Sequence, residues 1–174
     1  MKTKLSNDFM QRIADEAAWK EISSDFQWSE NLLEKYKDKV DWKEVSSNRN
    51  ILWTMSMLQK FRNLVDWDVL SSDISDDSLT EECIETFADK WNWSELSKNR
   101  NLNLNIKLID KYLDKWDWNN LVNRWGEGLF DGKGIEFYEH YKDYIPAREL
   151  QQSQLWDAIV EKSKKQIIKE INEK

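Results

Sequence analysis

The stretch that decides the fold is WNWSELSKNRNLNLNIKLIDKYLDKWDW, residues 91–118, which begins and ends on a Trp-x-Trp pattern. Its first part predicts a short helix, because Asn92 can cap a helix N-terminus and Glu95 stands where a capping box places its acid. The Ser and Asn residues of 97–101 are typical of a turn. After Asn105, apolar side chains recur at helical spacing and predict a second, amphipathic helix. The stretch is therefore expected to form a helix–turn–helix unit.

The N-cap of that second helix recurs along the whole chain. A capping residue preceded by a large apolar residue stands at seven positions, separated by 23 to 26 residues. The seven predicted caps are Ser6, Ser29, Thr54, Thr80, Asn105, Asp131 and Asp157. Apolar residues follow most caps after four and seven residues, and tryptophan follows the first five caps after thirteen. This agreement indicates a tandem repeat of about 25 residues.

The repeat predicts an all-α fold, namely an α-solenoid of about six short helix–turn–helix repeats between terminal capping helices. Stacked repeats bury their apolar faces on one another, so we expect one domain over residues 1–174. Its parts would be an N-terminal cap (1–18), the repeats (19–144) and a C-terminal cap (145–174). In the sixth repeat, the positions four and seven residues after the predicted cap are Ile135 and Tyr138, which are therefore expected in the core. The recurring tryptophans, expected in the core, are Trp19, Trp42, Trp67, Trp93 and Trp118.

Three segments carry a resemblance to a known kind of repeat: DWKEVSSNRN (41–50), DWDVLSSD (66–73) and WNWSELSKNRN (91–101). The pattern resembles the Trp-rich short tandem repeats of uncharacterised viral and bacterial reading frames. The likeness covers roughly residues 19–124. It implies a helical repeat fold and no particular activity, so no functional residue follows from it.

Composition narrows the classes of protein. No run of about 18 apolar residues occurs, so no membrane span is predicted. The first residues, MKTKLSNDFM, lack the apolar core of a signal peptide, which argues against secretion. The single cysteine, Cys83, excludes a disulfide framework and fits a reducing compartment. We therefore expect a cytoplasmic protein.

The net charge of −7 is concentrated in one repeat. Residues 66–89 contain nine acids and no Lys or Arg, whereas the rest of the chain has 24 acids and 26 bases. The nine acids are Asp66, Asp68, Asp73, Asp76, Asp77, Glu81, Glu82, Glu85 and Asp89. Such a surface attracts a basic protein and repels nucleic acid, so direct nucleic-acid binding is not expected.

All four glycines lie within residues 126–134, which raises the question of a phosphate-binding loop. A Walker loop fails, because Glu127 stands where the first glycine should be and Lys133 is followed by Gly134 rather than Ser or Thr. A dinucleotide fingerprint fails at Asp131, and no strand precedes it. The segment is therefore either a widened loop between helices or a partner-binding loop that presents Trp125 and Lys133.

No catalytic or metal-binding constellation can be recognised. His140 is the only histidine, and it lacks the further His or Cys ligands that a metal site needs. Cys83 falls on a core face and is expected to be buried. Paired carboxylates such as Glu81 and Glu82 have no evident partner for acid–base chemistry, which makes solvated charge the better interpretation. We expect no enzyme activity, no cofactor and no metal.

The Asn-Arg-Asn turns supply another candidate surface. Asn48–Arg49–Asn50 and Asn99–Arg100–Asn101 occupy equivalent positions, and Asn123–Arg124 approximates them. Asn suits the turn itself, but Arg has no such backbone role. Equivalent turns of a stacked array align along one edge, so these arginines are predicted to form an exposed contact ridge.

Together these features predict a non-enzymatic scaffold that captures a protein partner with a basic surface. The alternative is an acidic nucleic-acid mimic, of phage or mobile-element origin, that inhibits a host defence protein or another nucleic-acid-binding protein. A weaker third hypothesis is direct RNA binding through the arginines and Trp125. The predicted partner contacts are Asp73, Asp76, Asp77, Glu81, Glu82, Glu85, Arg49, Arg100, Arg124, Trp125 and Lys133.

Overall fold

The computed structural model describes residues 7–75, 77–124, 129–130 and 132–173, and every regular element within them is an α-helix. The helices are α1 Asn7–Asp25, α2 Glu30–Tyr36, α3 Trp42–Ser47, α4 Met55–Lys60, α5 Trp67–Asp73, α6 Glu81–Thr86, α7 Trp93–Lys98, α8 Ile106–Lys111, α9 Trp118–Val122, α10 Gly134–Tyr141, α11 Ala147–Leu150 and α12 Gln154–Asn172. Most helices are short because each repeat allots only about two turns to each one.

The chain divides into two compact units, Met1–Trp91 and Asn92–Lys174. In the first unit α1 packs on α3 and α3 packs on α5. In the second unit α7 packs on α9 and α10 packs on α12. Within each unit, equivalent helices of successive repeats therefore pack on one another: first helices in the pairs α1–α3, α3–α5 and α7–α9, and second helices in the pair α10–α12. This packing confirms the expected all-α solenoid fold class. The expected single domain with caps at 1–18 and 145–174 stays a prediction.

The central repeats follow the predicted pattern closely. Side chains of Ser29, Thr54, Thr80 and Asn105 each accept a hydrogen bond from the backbone N–H three residues later, at 2.9–3.4 Å. These four predicted N-caps are confirmed. The apolar residues four positions after them, which are no more than 1% exposed, are Leu33, Leu58, Ile84 and Ile109.

Each recurring tryptophan pairs with an aromatic ring of the next helix. The ring centroids lie 4.7–5.6 Å apart, a distance at which aromatic pairs attract each other. Trp118 is buried, and the other four tryptophans are half-buried. The pairs are Trp19–Tyr36, Trp42–Phe61, Trp67–Phe87, Trp93–Tyr112 and Trp118–Tyr141.

A buried serine in the first helix joins consecutive repeats. Ser46 donates to the carbonyl of Trp42 at 2.6 Å and accepts from the backbone N–H of Asp66, the N-cap of the next first helix, at 2.9 Å. Ser23 makes the same pair of bonds to Trp19 and Asp41. Ser97 makes them to Trp93 and Asp117. One hydroxyl thus satisfies a buried donor and an acceptor on two repeats.

The last repeat changes both partners of this bridge together. Val122 occupies the position of Ser46 and Ser97, and Pro146 occupies the N-cap position of Asp41 and Asp117. Proline has no N–H to donate, and valine has no oxygen to accept. The paired substitution therefore leaves no donor unsatisfied.

The sequence predicted the start of α10 two residues too early. Asp131, the predicted cap, lies outside the described residues, and the helix begins at Gly134 after Lys133. Ile135 is 45% exposed and Tyr138 is only half-buried, so neither fills its predicted core position. The buried residues are instead Phe137 and Tyr141. Their burial and the pairing of Tyr141 with Trp118 fix the register of this helix.

Both terminal helices also depart from the prediction. Ser6 lies outside the described residues, and Met10 and Ile13 are 50% and 44% exposed rather than core. The N-cap of α12 is Ser153, whose side chain accepts from the N–H of Trp156, and not Asp157. The N-cap of α12 therefore lies four residues before the predicted one, and Met10 and Ile13 of α1 are not in the core.

Candidate protein-interaction surface

Four of the predicted acidic contacts lie exposed on α6 and on the turn before it. They are Asp77, Glu81, Glu82 and Glu85. Asp76, the fifth, lies outside the described residues. Because α6 is only six residues long, its three glutamates lie within two turns of helix.

Acids at the two ends of this repeat are engaged in local structure. Asp73 accepts from Arg49 of the preceding repeat at 3.0 Å, so the two predicted contact residues pair with each other. Asp89 lies 3.8 Å from the guanidinium of Arg62. Asp66 caps α5. Of the acids in this repeat, those exposed on α6 and on the turn before it form the largest group.

Arg100 is exposed, as expected of a contact ridge, but Arg124 is buried with 6% of its surface exposed. Its guanidinium donates to the carbonyl of Ser97 at 3.3 Å and to that of Leu102 at 2.7 Å. The prediction of an exposed Arg124 is wrong. Arg49 is exposed, with its guanidinium on Asp73.

The physical reason is the register of the turn. Counting from the N-cap aspartate, Arg124 aligns with Asn48 rather than with Arg49. Asn48 is 3% exposed and donates to the carbonyls of Ser23 and Phe26 in the preceding repeat. Arg124 takes over this task in its own repeat, where its longer fork reaches two carbonyls.

The glycine segment serves helix packing where the structure describes it. Trp125 lies outside the described residues, and Lys133 is exposed at the N-cap of α10. A Cβ on Gly134 would lie 2.8 Å from Cγ1 of Ile159, so glycine allows α10 to approach α12. Gly132 has φ +67°, a conformation that favours glycine.

A lysine of α12 binds the residues at the start of α10. Lys162 donates to the carbonyl of Gly132 at 2.6 Å and lies 3.3 Å from Glu136. The pKa of Glu136 is lowered, first by a hydrogen bond from its own backbone amide and then by Lys162. These contacts fit the widened-loop interpretation of the segment.

His140 belongs to a small polar cluster between α8 and α10. Its Nε2 lies 3.3 Å from Oδ1 of Asp110, which also accepts from the hydroxyl of Tyr141 at 2.8 Å. Burial, and then this hydrogen bond, raises the pKa of Tyr141. Among the described residues, no three His, Cys, Asp or Glu residues are grouped to hold a metal ion.

Cys83 is fully buried, which confirms its predicted core position. Burial, with a smaller contribution from Glu82, raises the pKa of its thiol to about 12. None of the helices in the described part of the chain is both long enough and apolar enough to cross a membrane.

The structure also shows exposed apolar side chains on α1 and on α12, which the sequence did not identify as a candidate surface. These side chains include Phe9, Ile13, Val160, Ile167 and Ile171, which are 37–67% exposed.

Comparison with protein-family models, with curated proteins and with solved structures finds no match for the chain. The class defined by the fold is an all-α tandem-repeat protein.

Proposed function

We propose that the chain is a non-enzymatic protein-binding scaffold that captures a basic protein surface with the acidic face of α6. The observation that carries the proposal is the exposure of Asp77, Glu81, Glu82 and Glu85 together in a repeat without any Lys or Arg. A concentrated field of one sign steers a partner of opposite charge and selects against partners of like charge.

Exposure defines the extent of the surface. We assign to it the four acids that are exposed, and we leave out Asp73, which is half-buried and pairs with Arg49 of the preceding repeat. The cluster of Asp110, His140 and Tyr141 is assigned a structural role, because Tyr141 is buried within the helix packing.

The test replaces these four carboxylates with amides and measures binding of a fluorescent oligolysine peptide by anisotropy. The variant Asp77→Asn/Glu81→Gln/Glu82→Gln/Glu85→Gln is expected to lose most of the binding. The control neutralises four exposed acids outside this repeat, Asp8, Asp38, Asp114 and Asp143, by the same change of net charge. It is expected to bind nearly as the wild type does.

Circular dichroism verifies that both variants are folded. Equal loss in the two variants would mean that only net charge matters, and retained binding in the α6 variant would refute the proposal.

Competition with duplex DNA tests the alternative function. A nucleic-acid mimic must compete with DNA for the basic groove of a DNA-binding protein and lose affinity steeply with salt. A scaffold for other basic surfaces need not compete.

A further inference from the structure

We infer that this protein self-associates, with α1 of one copy packed antiparallel against α12 of a second copy. The proposal is independent of the acidic surface. It concerns the two long helices of the described chain, each of 19 residues. Both helices present exposed apolar side chains.

The exposed stripe of α12 differs from the face that packs within the chain. Leu155 is fully buried and Ile159 contacts the backbone of α10 at Gly134. Val160 and Ile167 are 44% and 56% exposed. At 100° per residue they lie roughly 120–140° around the helix from Leu155. A second apolar face of this helix is therefore available.

The two stripes have matching spacing. On α12 the positions are 160, 164, 167 and 171, and on α1 they are 9, 13, 16 and 20, so both are separated by 4, 3 and 4 residues. This is the a/d spacing by which helices form a two-stranded seam. The stripe on α12 has one charge, Lys164, among three exposed apolar residues. The stripe on α1 has two exposed apolar residues, Phe9 and Ile13, followed by Glu16 and Lys20.

Charge complementarity selects the partner and the direction. In an antiparallel pair Lys164 faces Glu16, Ile167 faces Ile13 and Ile171 faces Phe9. A parallel pair would set Lys164 against Ile13 and Glu16 against Ile167. An α12–α12 pair would set lysine against isoleucine. Of these three pairings, only the antiparallel pairing of α1 with α12 sets charge against opposite charge and apolar against apolar at three of its four positions; at the fourth, at the margin, Lys20 faces Val160.

Two lysines of the paired stripes, Lys20 and Lys164, form ion pairs within their own chain. Lys20 ends the α1 stripe and lies 3.3 Å from Glu44 in its own chain, and Lys164 lies 3.6 Å from Glu161. Both lysines are largely exposed, so their ammonium groups can reorient toward a second copy. A groove of about 710 Å³ beside α1, lined in part by Ile13, Glu16 and Trp19, continues this surface.

The test is sedimentation equilibrium of the wild type, Glu16→Lys, Lys164→Glu and the double variant. The wild type is expected to associate with rising concentration, each single variant to associate roughly tenfold more weakly, and the double variant to recover. Lys165→Glu makes the same charge change on another side of α12 and should associate as the wild type does.

A second measurement keeps the proposal testable if association is weak. Ile13→Cys and Ile167→Cys variants are mixed and oxidised, with buried Cys83 left in place. A disulfide between unlike chains is expected. A wild type that stays monomeric and forms no such cross-link overturns the inference, as does a double variant without recovery. Binding of monomers to anionic lipid vesicles would instead assign the stripe on α12 to a membrane surface.

Discussion

At the scale of single residues, the buried serine of the first helix does more for the repeat than its size suggests. Ser46 is 2% exposed and bonds to two consecutive repeats, whereas its neighbour Ser47 donates only within its own helix, to Glu44. Removal of the hydroxyl leaves the part-buried N–H of Asp66 without this acceptor.

We predict that Ser46→Ala lowers the free energy of unfolding by about 1–3 kcal/mol, the usual cost of an unsatisfied buried donor. Ser47→Ala serves as the matched control and should change it by less than about 0.5 kcal/mol. Urea unfolding followed by tryptophan fluorescence measures both. Equal effects would show that the bond to the N–H of Asp66 contributes nothing.

The residue scale also shows where sequence reasoning succeeds. Large apolar positions such as Leu33 and Ile84 were predicted because burial demands apolar volume, which few residue types provide. Arg124 was placed wrongly because its turn could be aligned in two registers that differ by one residue. Only the carbonyls of Ser97 and Leu102, which lie more than 20 residues earlier, choose between them.

At the scale of elements, α10 illustrates why the start of a helix cannot always be predicted from the spacing of the repeats. The spacing of caps predicted a start after Asp131, but the loop before α10 is longer than in the other repeats. Helix position is then set by tertiary contacts, namely the burial of Phe137 and Tyr141 and the close approach at Gly134. None of these contacts leaves a local signal in the sequence.

For that helix we predict that Gly134→Ala destabilises the protein by about 1–3 kcal/mol, because the new Cβ overlaps Ile159 at 2.8 Å. In an Ile159→Ala background the same change should cost less. Gly132→Ala has no neighbour within 4 Å and should cost about 1–2 kcal/mol through its positive φ alone, in either background. Thermal unfolding is measured for Ile159→Ala and for Gly134→Ala and Gly132→Ala, each alone and combined with Ile159→Ala. If Gly134→Ala is equally destabilising with and without the Ile159→Ala change, steric overlap is refuted.

At the scale of the whole molecule, the sequence predicted the fold class and the concentration of charge, since both follow from composition and periodicity. It did not predict which charges are neutralised. The pairing of Arg49 with Asp73, 24 residues apart, depends on how consecutive turns stack. The sequence therefore predicted the acids of the candidate surface, and the structure shows which of the described ones are exposed.

The stability of the whole molecule should fall at alkaline pH through Cys83. Its thiol has a pKa of about 12 in the folded chain against 9.0 for a free group, so the folded state keeps the proton while the unfolded state loses it. A pKa raised by folding stabilises below the unfolded value and loses that stability as pH rises above it. From pH 8 to 10 the wild type should lose about 1.4 kcal/mol more than Cys83→Ala. Urea unfolding of both proteins at the two pH values measures this difference. Because the comparison subtracts the titration of Tyr141 and the lysines, identical losses would show that the thiol is not buried as a neutral group.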